Sequence, residues 1–125
     1  MRSPDPKNLR ILYADDMQEL RTIAEIGLGG EGHLVSCAED GSIAYKMVSD
    51  DPSAFDIVIS DHHMPNMNGL ELVRRLRAMR YPGKIIIFSS ELSTETADAY
   101  QSLGVDRMLF KPIELAVLRK LVREI

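Results

Sequence analysis

The sequence predicts one α/β domain, an open, doubly wound sheet of five parallel strands covered by helices on both faces. Three observations predict it. Five short apolar runs alternate with five segments of helical spacing. The third and fourth runs, "FDIVIS" (55–60) and "KIIIFS" (84–89), are almost uninterrupted in Ile, Val and Phe, as central strands buried on both faces must be. Strand starts fall roughly 20 to 30 residues apart, the room that a right-handed strand–helix–strand crossover needs.

The first strand is "LRILYA" (9–14). The helix after it carries the stripe Leu20, Ile23, Ala24 and Leu28, ended by Gly29-Gly30. "HLVSCA" (33–38) is the second strand, expected at a sheet edge, with His33 as a surface residue at its start. Ile43, Ala44, Met47 and Val48 mark the second helix. After strand 55–60, Leu72, Val73, Leu76 and Met79 form a stripe with Arg74, Arg75 and Arg77 on the opposite face. After strand 84–89 the stripe thins to Ala97, Ala99, Tyr100 and Leu103, which predicts a lightly packed fourth helix. "DRMLF" (106–110) is the last strand, with Phe110 expected in the core. Leu115, Leu118, Leu121, Val122 and Ile125 mark the last helix. Asp16-Met17-Gln18-Glu19 and Asn68-Gly69-Leu70-Glu71 read as capping boxes, and Ser93 or Thr94 as the fourth helix's cap. Residues 1 to 8 read as a flexible tail ahead of a domain over residues 9–125.

Composition narrows the class. A chain of 125 residues with 45% hydrophobic content can bury a core. Fifteen basic against 19 acidic residues give a formal charge of −4, which argues against direct nucleic-acid or anionic-membrane partners. No apolar run approaches the roughly 20 residues that span a bilayer. "MRSPDPKN" lacks the apolar core of a signal peptide. Cys37 stands alone, so neither a disulfide nor a cysteine zinc cluster can form within the chain. A cytoplasmic protein is expected.

Ligands of doubly wound sheets bind beyond the carboxyl ends of the strands. There the sequence places Asp15 and Asp16 after the first strand and Asp61, His62 and His63 after the third. Ser89 and Ser90 follow the fourth, and Lys111 and Pro112 the fifth. Three converging carboxylates repel one another and need a cation. Magnesium takes one or two carboxylates plus waters and phosphate oxygens, and Lys111 adds a further positive charge. Such a set can move a phosphoryl group onto a carboxylate, with the central Asp61 as nucleophile. His62 and His63 are adjacent and point apart, which disfavours a shared transition-metal site.

From Leu9 to Ile125 the chain resembles the receiver domain of two-component response regulators. The resemblance is carried by "YADD" (13–16), "SDHHMPNMNGLEL" (60–72), "FSS" (88–90) and "FKP" (110–112), in order and at strand ends. It implies a CheY-like, flavodoxin-like (βα)5 fold with strand order 2-1-3-4-5. It implies a phospho-switch rather than an enzyme: a histidine kinase or histidine phosphotransfer protein donates a phosphoryl group to Asp61, with Mg²⁺ as cofactor. Asp16 resembles the direct metal ligand and Asp15 its partner acid. His63 sits where the family uses a backbone carbonyl on the metal. Ser89 matches the switch hydroxyl and Lys111 the phosphate-binding lysine, with a cis bond to Pro112 expected. The switched surface is formed by helix 4, strand 5 and helix 5. His63 and Glu91 are expected to flank the path of water to the phosphoryl group.

One position departs from the family. An aromatic residue usually stands three positions before the lysine, where this chain has Met108. A muted or different rearrangement is therefore expected on that face. Other readings are a phosphorylation-independent pseudo-receiver, a Mg²⁺-dependent phosphohydrolase and a flavodoxin-like electron carrier. The acidic "DDMQEL" opposes the last by repelling a cofactor phosphate. The domain is expected to be a stand-alone receiver or a fragment of a larger regulator or hybrid kinase.

Overall fold

The computed structural model describes residues 8–125, so all of the expected tail except Asn8 lies outside the described residues. The order is β1 (Arg10–Ala14), α1 (Gln18–Gly29), β2 (Leu34–Ala38), α2 (Gly41–Asp50), β3 (Ile57–Asp61), α3 (Gly69–Ala78), β4 (Lys84–Ser89), α4 (Thr94–Ser102), β5 (Arg107–Phe110) and α5 (Leu115–Glu124). The strands form one sheet in the order β2-β1-β3-β4-β5, every neighbouring pair parallel.

Strand side chains alternate between faces, so each central strand feeds two cores. Leu12, Val58, Ile85 and Ile87 pack with Ala44 and Val48 of α2, Leu72, Val73 and Leu76 of α3, and Tyr100 of α4. Ile11, Ile57, Ile59, Ile86 and Phe88 pack on the other face with Ala24 and Leu28 of α1 and Leu118 and Val122 of α5. This double burial is why β3 and β4 read as continuous apolar runs.

The caps divide between expected and new. Asn68 caps α3 by accepting the Glu71 N–H at 2.9 Å, and Ser93 caps α4 by accepting the Thr96 N–H at 3.1 Å. The Asp16 capping box does not form. Met17 occupies the cap position of α1, and the Asp15 carboxylate takes the Met17 N–H at 3.0 Å instead. The cap of α2 is one that sequence reading missed. Asp40 Oδ1 accepts from the Ile43 N–H at 2.9 Å and from Ser42 Oγ at 2.7 Å, while Oδ2 accepts from Asn66 Nδ2 at 2.7 Å.

Burial alone would raise the Asp40 pKa, but the bonds from Ser42, Ile43 and Asn66 outweigh it and hold it below the usual aspartate value. Its folded-state pKa is therefore depressed. The stability it contributes is present above the unfolded value, about 4, and is lost as pH falls through the lower folded value. Asp40→Ala should lower stability near pH 7 by about 1–2 kcal/mol, as for the loss of a good cap. Urea titrations at pH 7 and pH 3 check this, the deficit shrinking at the lower pH.

Four expectations fail on packing, the first being Ile43 of the α2 stripe, which is 41% exposed. Ile23 of α1 is 52% exposed, because the helix buries Ala24, Gly27 and Leu28 and leaves Ile23 on a cleft between α1 and α5. His33 is buried rather than on the surface, and its Nδ1 accepts the Leu9 N–H at 3.0 Å, tying the start of β1 to the start of β2. Phe110 is 63% exposed rather than in the core. Two residues from Met108, it shares that residue's side of the edge strand β5, but at the end of the strand none of the described residues covers it. α4 is lightly packed as expected: of its residues, all described, Tyr100 alone is buried.

Candidate functional site

The sheet register sets the site. β3 and β4 pair Asp61 with Phe88, and β4 and β5 pair Ser89 with Phe110. The Lys111 N–H extends the last ladder by donating to the Ser89 carbonyl at 2.8 Å. A cis peptide bond joins Lys111 to Pro112, as expected. The lysine chain then runs back over the Phe88 ring, with Nζ 5.1 Å from its centroid.

Lys111 Nζ donates to Asp61 Oδ2 at 3.0 Å and lies 3.7 Å from Asp15 Oδ2. Asp61 Oδ1 accepts the His62 N–H at 2.8 Å. Asp61 and Asp15 are buried, while Asp16 is exposed. Burial pushes the Asp15 carboxyl above the usual range, helped by the charges of Asp61 and Asp16. The Met17 N–H and Lys111 work in the opposite direction. One oxygen from each of Asp15, Asp16 and Asp61 lies within 4.8 Å of the others. Three carboxylates at that spacing, one open to solvent, suit a hard cation that keeps several waters, as magnesium does. That group contains neither histidine, although the two rings do not point apart as expected but meet edge to face with centroids 4.7 Å apart.

The remaining expected residues border this cluster. His63 is exposed and shares a surface depression with Asp16, Met64, Pro65 and Asn68. Its Nε2 lies 3.4 Å from the Glu91 carbonyl oxygen, so His63 and Glu91 do stand side by side. Ser89 Oγ donates to that same carbonyl at 3.0 Å and accepts the Glu91 N–H at 3.3 Å. Its hydroxyl is thus engaged with the β4–α4 loop rather than with Asp61.

Sequence reading left His62 without a role and treated Tyr100 as an apolar stripe residue. The structure joins them. His62 Nδ1 lies 2.6 Å from the Tyr100 hydroxyl, and the rings meet edge to face at 80°. Burial, and then the neighbouring His63, push the His62 pKa below its usual value. Gly69 closes the same spot. Its N–H donates to the His62 carbonyl at 2.9 Å, and a Cβ there would stand 2.5 Å from the Asp61 carbonyl oxygen and 2.7 Å from the Tyr100 hydroxyl. The turn before it passes through Asn66 at φ 66°, a left-handed conformation that asparagine tolerates. Beside Lys111 on the other face, a largely apolar cleft of about 340 Å³ opens between α1 and α5.

Comparison with known proteins places this arrangement. The family model described as response regulator receiver domain matches residues 11–123. The two-component response regulator ORR41 of rice (Oryza sativa subsp. japonica) is 34% identical over 109 residues, covering 86% of this chain and 86% of that protein. The virulence sensor protein BvgS of Bordetella bronchiseptica is 35% identical over 124 residues, covering 94% of this chain and 10% of that protein. The chain thus spans most of one relative and a small part of the other. A response regulator receiver protein from Pseudomonas putida superposes with a TM-score of 0.86 at 28% identity, covering 95% of this chain and 98% of that one.

Proposed function

The chain belongs to the response regulator receiver domain family, and from that premise we propose that Asp61 accepts a phosphoryl group from a phosphohistidine donor. One observation carries the assignment to Asp61. Its carboxylate is the one held by Lys111 at 3.0 Å while sharing a 4.8 Å cluster with Asp15 and Asp16.

In the proposed transfer, Asp61 Oδ2 attacks phosphorus, a P–O bond forms, and the P–N bond of the donor breaks. The donor imidazole leaves with the electron pair of that bond and takes up a proton from solvent. Asp15, Asp16 and Asp61, with the His63 backbone carbonyl, would hold Mg²⁺, and a bound ion would supply positive charge against the phosphoryl oxygens. Lys111 sits over the attacked position and stabilises the charge that gathers there. Ser89, freed from the Glu91 carbonyl, supplies a hydroxyl to a phosphoryl oxygen. The domain is a signalling switch that turns over no outside substrate. A histidine kinase or histidine phosphotransfer protein is the donor, and the output surface lies over α4, β5 and α5, where Phe110 is exposed. A cytoplasmic setting suits such a donor. Among the described residues no helix is long and apolar enough to cross a membrane.

Intact mass after incubation with acetyl phosphate tests the reading. We expect a single phosphoryl increment with Mg²⁺ that maps to the fragment containing Asp61 and is absent in EDTA. An increment that persists without a divalent ion, or maps to another fragment, would overturn it.

A further inference from the structure

We propose that His62 and Tyr100 are positioning residues that couple helix α4 to the phosphorylation site, in place of an aromatic residue at Met108. The inference rests on the reading of Asp61 as the acceptor.

Three groups of His62 point to three parts of the structure. Its N–H is shared between Asp61 Oδ1 at 2.8 Å and the Phe88 carbonyl of β4 at 3.1 Å. Its carbonyl accepts the Gly69 N–H at 2.9 Å, at the first residue of α3. Its ring bonds the hydroxyl of Tyr100, the one buried residue of α4. The residue that orients the acceptor carboxylate is therefore the residue that meets α4. There is little slack between them. A Cβ at Gly69 would come within 2.7 Å of the Tyr100 hydroxyl and 3.0 Å of the His62 Cα. Movement of the His62 ring reaches Tyr100 through their 2.6 Å bond.

α4 is suited to respond. Its far end is held by Arg77, which donates to the Leu103 and Gly104 carbonyls at 2.8 and 2.7 Å. Its first two residues, Thr94 and Glu95, are exposed, and Tyr100 is its only deep anchor. A phosphoryl dianion at Asp61 competes with Oδ1 for the His62 N–H and draws Lys111 toward itself. Residue 62 shifts, and the 2.6 Å bond is either kept, moving α4, or broken, releasing it. Either state differs from the resting one, so the bond is a two-state element that phosphorylation biases. Met108 has no comparable handle. It is half-buried against the first core and its thioether is a weak acceptor with no donor.

The test uses amide NMR spectra of residues 94–102 with acetyl phosphate and Mg²⁺. Intact mass reports Asp61 occupancy in the same samples. Tyr100→Phe keeps the ring and loses only the hydroxyl. At equal occupancy its α4 response should fall about fivefold, the factor that one net hydrogen bond is worth. His62→Ala, at a partly exposed position, should show the same loss. His62→Asn, whose amide stands where Nδ1 stood, should restore the response. Met108→Ala should retain it. A response of full size in both Tyr100→Phe and His62→Ala overturns the coupling, as does its loss in Met108→Ala alone. A wild-type protein that gains no phosphoryl mass overturns the reading of Asp61 as well. The mass increment with an unaltered α4 response overturns the coupling alone.

Discussion

Asp61→Asn is expected to abolish phosphorylation while leaving the fold intact. The substitution is nearly isosteric at a buried position, and Oδ1 can still accept the His62 N–H that holds it at 2.8 Å. What changes is chemistry. A neutral amide oxygen is a far poorer nucleophile than a carboxylate, and the charge-assisted bond to Lys111 is lost. Lys111 then has Asp15 Oδ2, now 3.7 Å away, as its remaining carboxylate. With three crowded carboxylates reduced to two, repulsion at the strand ends falls, so circular dichroism and thermal melting should show a folded protein. Intact mass with acetyl phosphate and Mg²⁺ should show no increment. An increment of wild-type size would move the acceptor to Asp15 or Asp16.

Lys111→Met should slow phosphorylation by about 10²- to 10³-fold, as for the removal of one preorganised charge-stabilising donor. Methionine keeps much of the chain length over the Phe88 ring, and the backbone bond from residue 111 to the Ser89 carbonyl is untouched. The fold should therefore survive, and the loss should appear in the initial rate with acetyl phosphate at saturating Mg²⁺. Magnesium affinity should move the other way. Lys111 places a positive charge 3.0 Å from Asp61 and 3.7 Å from Asp15, and removing it makes the cluster more attractive to a cation. Calorimetric titration should show tighter Mg²⁺ binding in the same variant that phosphorylates slowly. A weaker affinity would mean that Lys111 organises the carboxylates rather than competing with the ion, and an unchanged rate would remove it from the chemistry.

Much of this protein is determined by the sequence alone. Continuous Ile, Val and Phe in β3 and β4 require a sheet covered on both faces, and the order of strands and helices follows from patterns a few residues long. Because parallel strands end on one side, Asp15, Asp16, Asp61, Ser89 and Lys111 could be placed at one end of the sheet from their positions at or just after strand ends. Local caps such as Asn68 and Ser93 were legible because donor and acceptor lie three residues apart, and the missed Asp40–Ile43 cap has the same spacing, so only its bond to Asn66 needed the tertiary structure. The tertiary structure decided what depends on residues distant in the chain. Asp40 joins Asn66 across 26 positions, Leu9 meets His33 across 24, and His62 meets Tyr100 across 38. No periodicity encodes such pairs. They form where the path of the chain brings two polar groups together away from water, and each must then bond the other or remain unsatisfied. Exposure was hidden in the same way. Phe110 and Ile23 are apolar in sequence, but one ends an edge strand and the other lies on an open cleft, where the described residues leave them exposed. The tertiary structure likewise aimed Ser89 at Glu91 and gave His62 a partner on α4, because the turn after Asp61 closes tightly enough over Gly69 to bring that ring to Tyr100.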